Sequence, residues 1–159
     1  MSSQVLTQQA SALDAWVRLL RGHSAAMKAI NARLVEGHGL TINDYEVLLH
    51  LARAEGARMR RVDLAERILL TPSGVTRLLD GLERAGLVER ASCESDRRVT
   101  YAVLTEAGQE KLEGAGESHV ADVRAFFEEH FSKDELDQLA SLLGRLPGVA
   151  EALGEHCTA

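Results

Sequence analysis

Residues 71–86 run Thr71-Pro72-Ser73-Gly74-Val75-Thr76-Arg77-Leu78-Leu79-Asp80-Gly81-Leu82-Glu83-Arg84-Ala85-Gly86, and the reading of this stretch decides the fold. The Thr71 hydroxyl can accept from the free backbone N–H groups of a helix start, and Pro72 suits the first helical position, where its missing N–H costs nothing. Val75, Leu78, Leu79 and Leu82 then recur at helical spacing as one buried stripe, and Gly86 ends the helix. The first turn is built from small polar residues, Ser73, Gly74 and Thr76, followed by Arg77. Short hydroxyls and free N–H groups can meet phosphate and base edges where bulky residues would collide with a DNA major groove. An arginine fork can grip a guanine or a phosphate.

Working outward, a short helix through Asp63, Leu64, Ala65 and Ile68 precedes this one, separated by Leu70. Before it, Glu55-Gly56-Ala57 is a break. Thr41, with Asp44 three residues on, caps an earlier helix whose face is Tyr45, Leu48, Leu49 and Ala52 and which ends near Arg53. The spacing Leu13, Trp16, Val17, Leu20, Met27, Ile30, Leu34 predicts a long amphipathic helix from about residue 8 to 36, closed by Gly37 and Gly39. Beyond Gly86 the period drops to two. Leu87 to Arg90 and Val99 to Val103 read as paired strands around a polar tip, Ala91 to Arg98. Thr105 then caps a helix to about His130. Ser132 and Glu135 form a capping box for a last helix with Leu136, Leu139, Leu142, Leu143 and Leu146 before Pro147. Two short helices with a tight connection, followed by a hairpin with a charged tip, are the plan of a winged helix-turn-helix. The expected fold is mainly α with a small β-hairpin wing.

The chain of 159 residues, 45% hydrophobic and 26% charged, is long enough for one well-buried domain and too short for two large ones. No apolar run approaches the ~20 residues needed to span a bilayer, and the start, Met1 to Ala12, is polar. A cytoplasmic protein without membrane partners is therefore expected. Cys93 and Cys157 cannot build a disulfide framework. The formal net charge is −6, which alone speaks against nucleic-acid binding. The distribution reverses that argument: residues 53–98 carry ten arginines against eight acids, whereas residues 105–159 carry four bases against twelve acids. Codon bias is the competing account of the arginine content, but arginine is also the side chain that pairs bidentately with phosphate.

The sequence resembles the MarR family of bacterial transcription regulators over nearly its whole length. The resemblance rests on Asp63-Leu64-Ala65-Glu66-Arg67, the stretch from Thr71 to Asp80, Leu82 to Arg90, Ser95-Asp96-Arg97-Arg98 and Leu104-Thr105-Glu106-Ala107-Gly108. It implies a winged lobe, 41–104, that binds double-stranded DNA, and a helical region, 1–40 with 105–159, that pairs two copies. It also implies a homodimer on a pseudopalindromic operator and a small ligand that alters DNA affinity. On the positions that match, Thr71, Ser73, Gly74, Thr76 and Arg77 are the expected helix contacts and Asp96, Arg97 and Arg98 the expected wing unit. One wing arginine reaches the minor groove and the acid fixes the wing by an internal pair; spacing leaves open which arginine does which.

Catalysis finds no support in the residue pattern. The six histidines show no i, i+4 pair, there is no Cys-x-x-Cys, no serine sits in a Gly-x-Ser-x-Gly setting, and no metal or cofactor is implied. Glu106, Glu110, Glu113 and Glu117 share one helical face and read as solvated. Cys93 beside Glu94 reads as an inert thiol, since an acidic neighbour raises a thiol pKa; a redox sensor is the alternative. Trp16 reads as core or dimer packing, with a pocket wall as the alternative. Trp16, Arg21, His23, Tyr45 and His50 are the candidate ligand residues for a small aromatic or acidic effector. The leading expectation is a ligand-responsive repressor. The competing one is a winged-helix protein-interaction module without DNA affinity, which the overall negative charge would suit.

Overall fold

The computed structural model describes residues 2–68, 70–92 and 98–149. Its order is α1 (Ser2–His38), α2 (Ile42–Arg53), a 3-10 turn (Glu55–Ala57), β1 (Arg58–Arg60), α3 (Arg61–Arg67), α4 (Pro72–Arg84), β2 (Val88–Ser92), β3 (Thr100–Leu104), α5 (Glu106–Glu128) and α6 (Lys133–Leu143). The chain packs as two units, Met1–Val120 and Ala121–Ala159. Within the described residues no helix is long and apolar enough to cross a membrane.

In the first unit, the punctuation of the chain follows its local chemistry. Gly39, at φ 67, turns the chain out of α1, which runs through Gly37. Thr41 accepts from the Asp44 N–H at 3.1 Å while the Asp44 carboxylate accepts from the Thr41 N–H at 2.8 Å, a reciprocal capping box. Asn31 of α1 adds a further cap, its Oδ1 accepting from Ile42 N at 3.0 Å. That bond places α1 against the start of α2. The core consists of Leu34, Val47, Leu48, Leu51, Leu64, Val75, Leu79 and Leu82, with Val88, Ala102 and Leu104 supplied by the sheet.

The structure departs from four sequence expectations. α2 buries Ile42, Tyr45, Val47, Leu48, His50 and Leu51 rather than one face, because it packs against α1, α3, α4 and the sheet at once. The hairpin is joined by a third strand: β1 pairs antiparallel with β3, Met59 opposite Ala102, and the sheet order is β1-β3-β2. The paired hairpin strands also sit slightly later than expected, from Val88 opposite Leu104 to Ser92 opposite Thr100. Finally, the α1 stripe is buried at Ile30 and Leu34, but Leu13, Trp16, Val17 and Leu20 are exposed. The periodicity marked an apolar face correctly and did not say what covers it.

The junction of sheet and α5 is tight. Gly86, at φ 73, ends the turn after α4. Thr105 Oγ1 donates to the Gly86 carbonyl at 2.7 Å and accepts from Gly108 N at 3.0 Å, so the α5 cap is fastened to the α4–β2 turn. Farther along α5, Ser118 Oγ meets His38 Nε2 at 2.6 Å. Glu106, Glu110, Glu113 and Glu117 are exposed.

In the second unit, Phe126 and Phe127 meet edge to face at 5.4 Å between ring centroids. Ser132 and Glu135 form the expected capping box, and the hydrogen bonds that the Ser132 N–H and then the Ser132 hydroxyl donate to the Glu135 carboxylate hold it below its ordinary pKa. No residue of α6 is buried.

Candidate nucleic-acid interface

α4 divides its residues cleanly between inside and outside. Val75, Leu79 and Leu82 are buried, Leu78 is half-buried, and Thr71, Ser73, Thr76 and Arg77 are exposed. Thr71 Oγ1 accepts from Gly74 N at 3.2 Å and lies 3.2 Å from Ser73 Oγ. The cap therefore orders the turn that carries the candidate contacts: Pro72 has no N–H, Gly74 N–H is taken by the Thr71 hydroxyl, and Val75 N–H donates to the Thr71 carbonyl at 3.0 Å. A Cβ on Gly74 would stand 3.2 Å from the Thr71 hydroxyl, so glycine there protects the cap. Thr71→Ala is expected to lower stability by about 1 kcal/mol, the usual worth of such a cap. Urea unfolding would measure it, and an unchanged midpoint would show that the cap has no energetic role.

The wing joins this helix through a contact the sequence reading did not single out. Arg90 of β2 donates through Nε to Glu83 and through Nη2 to Asp80, both on α4. The hydrogen bond to Glu83, then the charge of the same group, raise the Arg90 pKa above its ordinary value. The guanidinium thus bridges two carboxylates one turn apart and fixes the angle between wing strand and helix. The signal in the sequence was the Asp80, Glu83 pair at i, i+3 facing an alternating strand, which is legible once the strand is known to lie against that face. On β1 and β3, Arg58 lies over the Tyr101 ring, 5.2 Å from its centroid. At the start of α3, Arg60 makes a bidentate pair with Asp63 at 2.7 and 2.9 Å.

Of the expected wing unit, Arg98 is exposed at the start of the returning strand. Asp96 and Arg97 lie outside the described residues, as do Cys93 and Cys157. Thr71, Ser73, Gly74, Thr76 and Arg77 are brought together on one end of α4, with the base of the wing beside them.

The candidate ligand residues are not brought together. Tyr45 and His50 are buried in α2, and the Tyr45 ring lies 4.5 Å from that of His119. Burial raises the Tyr45 pKa above its ordinary value. Trp16, Arg21 and His23 are all exposed, Trp16 at 56%. Trp16 precedes Asn31, the residue of α1 that touches the start of α2, by fifteen positions, roughly 22 Å along a helix axis. Trp16, Arg21 and His23 thus lie on the exposed part of α1, and Tyr45 and His50 on the buried side of α2.

Comparison with known proteins agrees with this geometry. The profile of the MarR family matches residues 38–99, from the end of α1 to the base of the wing. The chain is 32% identical over 123 residues to the HTH-type transcriptional repressor YetL of Bacillus subtilis (strain 168), covering 77% of this chain and 73% of YetL. The chain belongs to the MarR family. Its fold is similar to that of AbsC, a MarR family transcriptional regulator from Streptomyces coelicolor, with a TM-score of 0.74 and 36% identity over 89% of this chain and 93% of AbsC. It is likewise similar to Sco3205, a MarR family regulator from the same organism solved in complex with DNA, with a TM-score of 0.76 and 25% identity over 84% of each chain. The winged lobe of this MarR protein is that of a DNA-binding transcription regulator.

Proposed function

We propose that this MarR protein is a ligand-responsive repressor without catalytic activity, acting in the cytoplasm as a homodimer on a pseudopalindromic operator. Residues 41–104 are its DNA-binding lobe, and residues 1–40 and 105–159 pair the two copies. Thr71, Ser73, Gly74, Thr76 and Arg77 form the helix contact, and Asp96, Arg97 and Arg98 the wing contact. The observation that carries the reading is the outer face of α4, where a capped, small-residue helix start stands beside a wing fastened to the same helix by Arg90. YetL, a repressor by name, supports the direction of regulation.

Dimerisation is supported by what the single chain leaves uncovered. α1 exposes Leu13, Trp16, Val17 and Leu20, and the C-terminal segment exposes Phe131, Leu142 and Leu146. Apolar faces of this extent mark interfaces, and a two-fold pair of lobes requires two matching half-sites. An effector pocket that uses Trp16, Arg21 and His23 then needs the second copy to close it, with a small aromatic or acidic molecule as its ligand. Sedimentation equilibrium tests the core of the proposal: a dimer at micromolar concentration is the expected result. Trp16 is the single tryptophan, so its emission should shift to the blue as dilute monomer associates. A monomer throughout, with unchanged emission, would leave the half-site symmetry without a physical basis.

A further inference from the structure

A cavity of about 680 Å³ opens between the start of α3, the first turns of α4 and the base of the wing. Thr76 of α4 lines one side and Arg98 the other, with Arg60, Arg61, Val62 and Glu66 contributed by β1 and α3. Its walls are mostly apolar. Arg60 is already engaged by Asp63, and Glu66 is exposed. Arg61 differs: its Nη2 is buried and has no hydrogen-bond partner among the described residues. A guanidinium N–H shut away from water without an acceptor is costly, and an oxyanion is the group that best removes that cost.

A winged helix that places the start of α4 in the major groove and its wing in the neighbouring minor groove has one sugar-phosphate strand running between the two elements. The cavity occupies that position on the protein, between Thr76 and Arg98. We propose that it seats a backbone phosphate of the bound duplex, that the Arg61 guanidinium, whose Nη2 is closed off from solvent in the free chain, turns into the cavity to donate to that phosphate, and that the apolar walls receive the adjoining sugars. The proposal rests on DNA binding by this lobe and adds a third contact between the helix and wing contacts. It makes Arg61 a sequence-independent anchor. The low polarity of the seat strengthens a charge-assisted hydrogen bond that water would otherwise weaken.

The test is fluorescence anisotropy with a random-sequence duplex and with a bound operator, titrated between about 50 and 200 mM salt. Arg61→Gln should weaken binding about tenfold on both duplexes and make the salt slope shallower by about one unit per engaged lobe. Arg61→Lys keeps a charge and should recover most of the slope. Val62 lines the same cavity and is 64% exposed, so substitutions there do not disturb the core: Val62→Lys should tighten and Val62→Glu weaken binding to every duplex. If Arg61→Gln and both Val62 variants bind like the parent with the parent's slope, the proposal is overturned. It is equally overturned if Arg61→Gln keeps the slope but abolishes an effect of benzoate on DNA affinity, since the cavity then holds an organic anion. A parent protein that binds neither duplex would overturn the DNA-binding reading itself, a result distinct from either of these.

Discussion

Gly108→Ala is expected to lower the stability of the fold by about 3 kcal/mol, the upper end of the cost of overpacking a well-filled site. A Cβ at this position would stand 2.1 Å from the Leu87 carbonyl oxygen and 2.7 Å from Leu104 Cδ1. The first of these is backbone, held by the Thr105 N–H at 3.2 Å, so the strain cannot be relieved by turning a side chain. Relief requires α5 to lift from the α4–β2 turn, which strains the hydrogen bonds from Thr105 to Gly86 and from Gly108 to Thr105. Gly114→Ala, farther along the same helix with nothing within 4 Å, provides the contrast. It should be neutral or stabilising by up to about 1 kcal/mol, because alanine is the better helix former. Urea unfolding of both variants would decide, and equal midpoints would mean that the close approach at Gly108 is not part of the folded protein.

The second large effect falls on DNA recognition. Arg77→Ala should lose about 1 to 3 kcal/mol on the specific site and relax preference at one position in each half-site, with a smaller loss on random duplex. Arg98→Ala should act differently, weakening all duplexes more evenly and reducing the salt slope by about one unit per contact removed. The distinction follows from placement. Arg77 stands on the exposed side of the first turns of α4, and Arg98 stands at the base of the wing. Competition binding on a set of single-base operator variants separates the two patterns. If both substitutions flatten the slope equally and neither alters base preference, Arg77 is a phosphate contact and specificity lies elsewhere.

Local chemistry made much of this fold legible. Thr71 before Pro72, Thr41 before Asp44, Ser132 before Glu135 and the turn at Gly86 each specify a helix end through groups a few residues apart, and each appears where the sequence placed it. β1 was missed for the opposite reason. Its three residues, Arg58, Met59 and Arg60, have no periodicity of their own and become a strand through pairing with β3 forty residues on. The apolar stripe of α1 was visible, but its division into a buried end at Ile30 and Leu34 and an exposed end at Trp16 depends on where α2 begins to touch it. The candidate helix contacts were chosen by residue size and capping, local properties that place them together on one end of α4. Arg61 and Arg90 were not, because one depends on a cavity and the other on a strand crossing a helix face.

α4 keeps the residues that hold it in place apart from those that face outward: Val75, Leu79 and Leu82 point into the core, while Ser73, Thr76 and Arg77 do not. A change at the second set alters the surface proposed to meet DNA and leaves packing nearly untouched. With the contacts proposed above, new operator preferences are open to this protein through single codon changes, without passing through unfolded intermediates. Thr71 and Gly74 are the exceptions, since the hydroxyl that caps the helix is also part of the outward turn and would have to shift to admit a methyl group 3.2 Å away at position 74. A library that randomises positions 73, 76 and 77 while holding 71 and 74 fixed should therefore return mostly folded proteins with altered binding, and one that also frees those two should not.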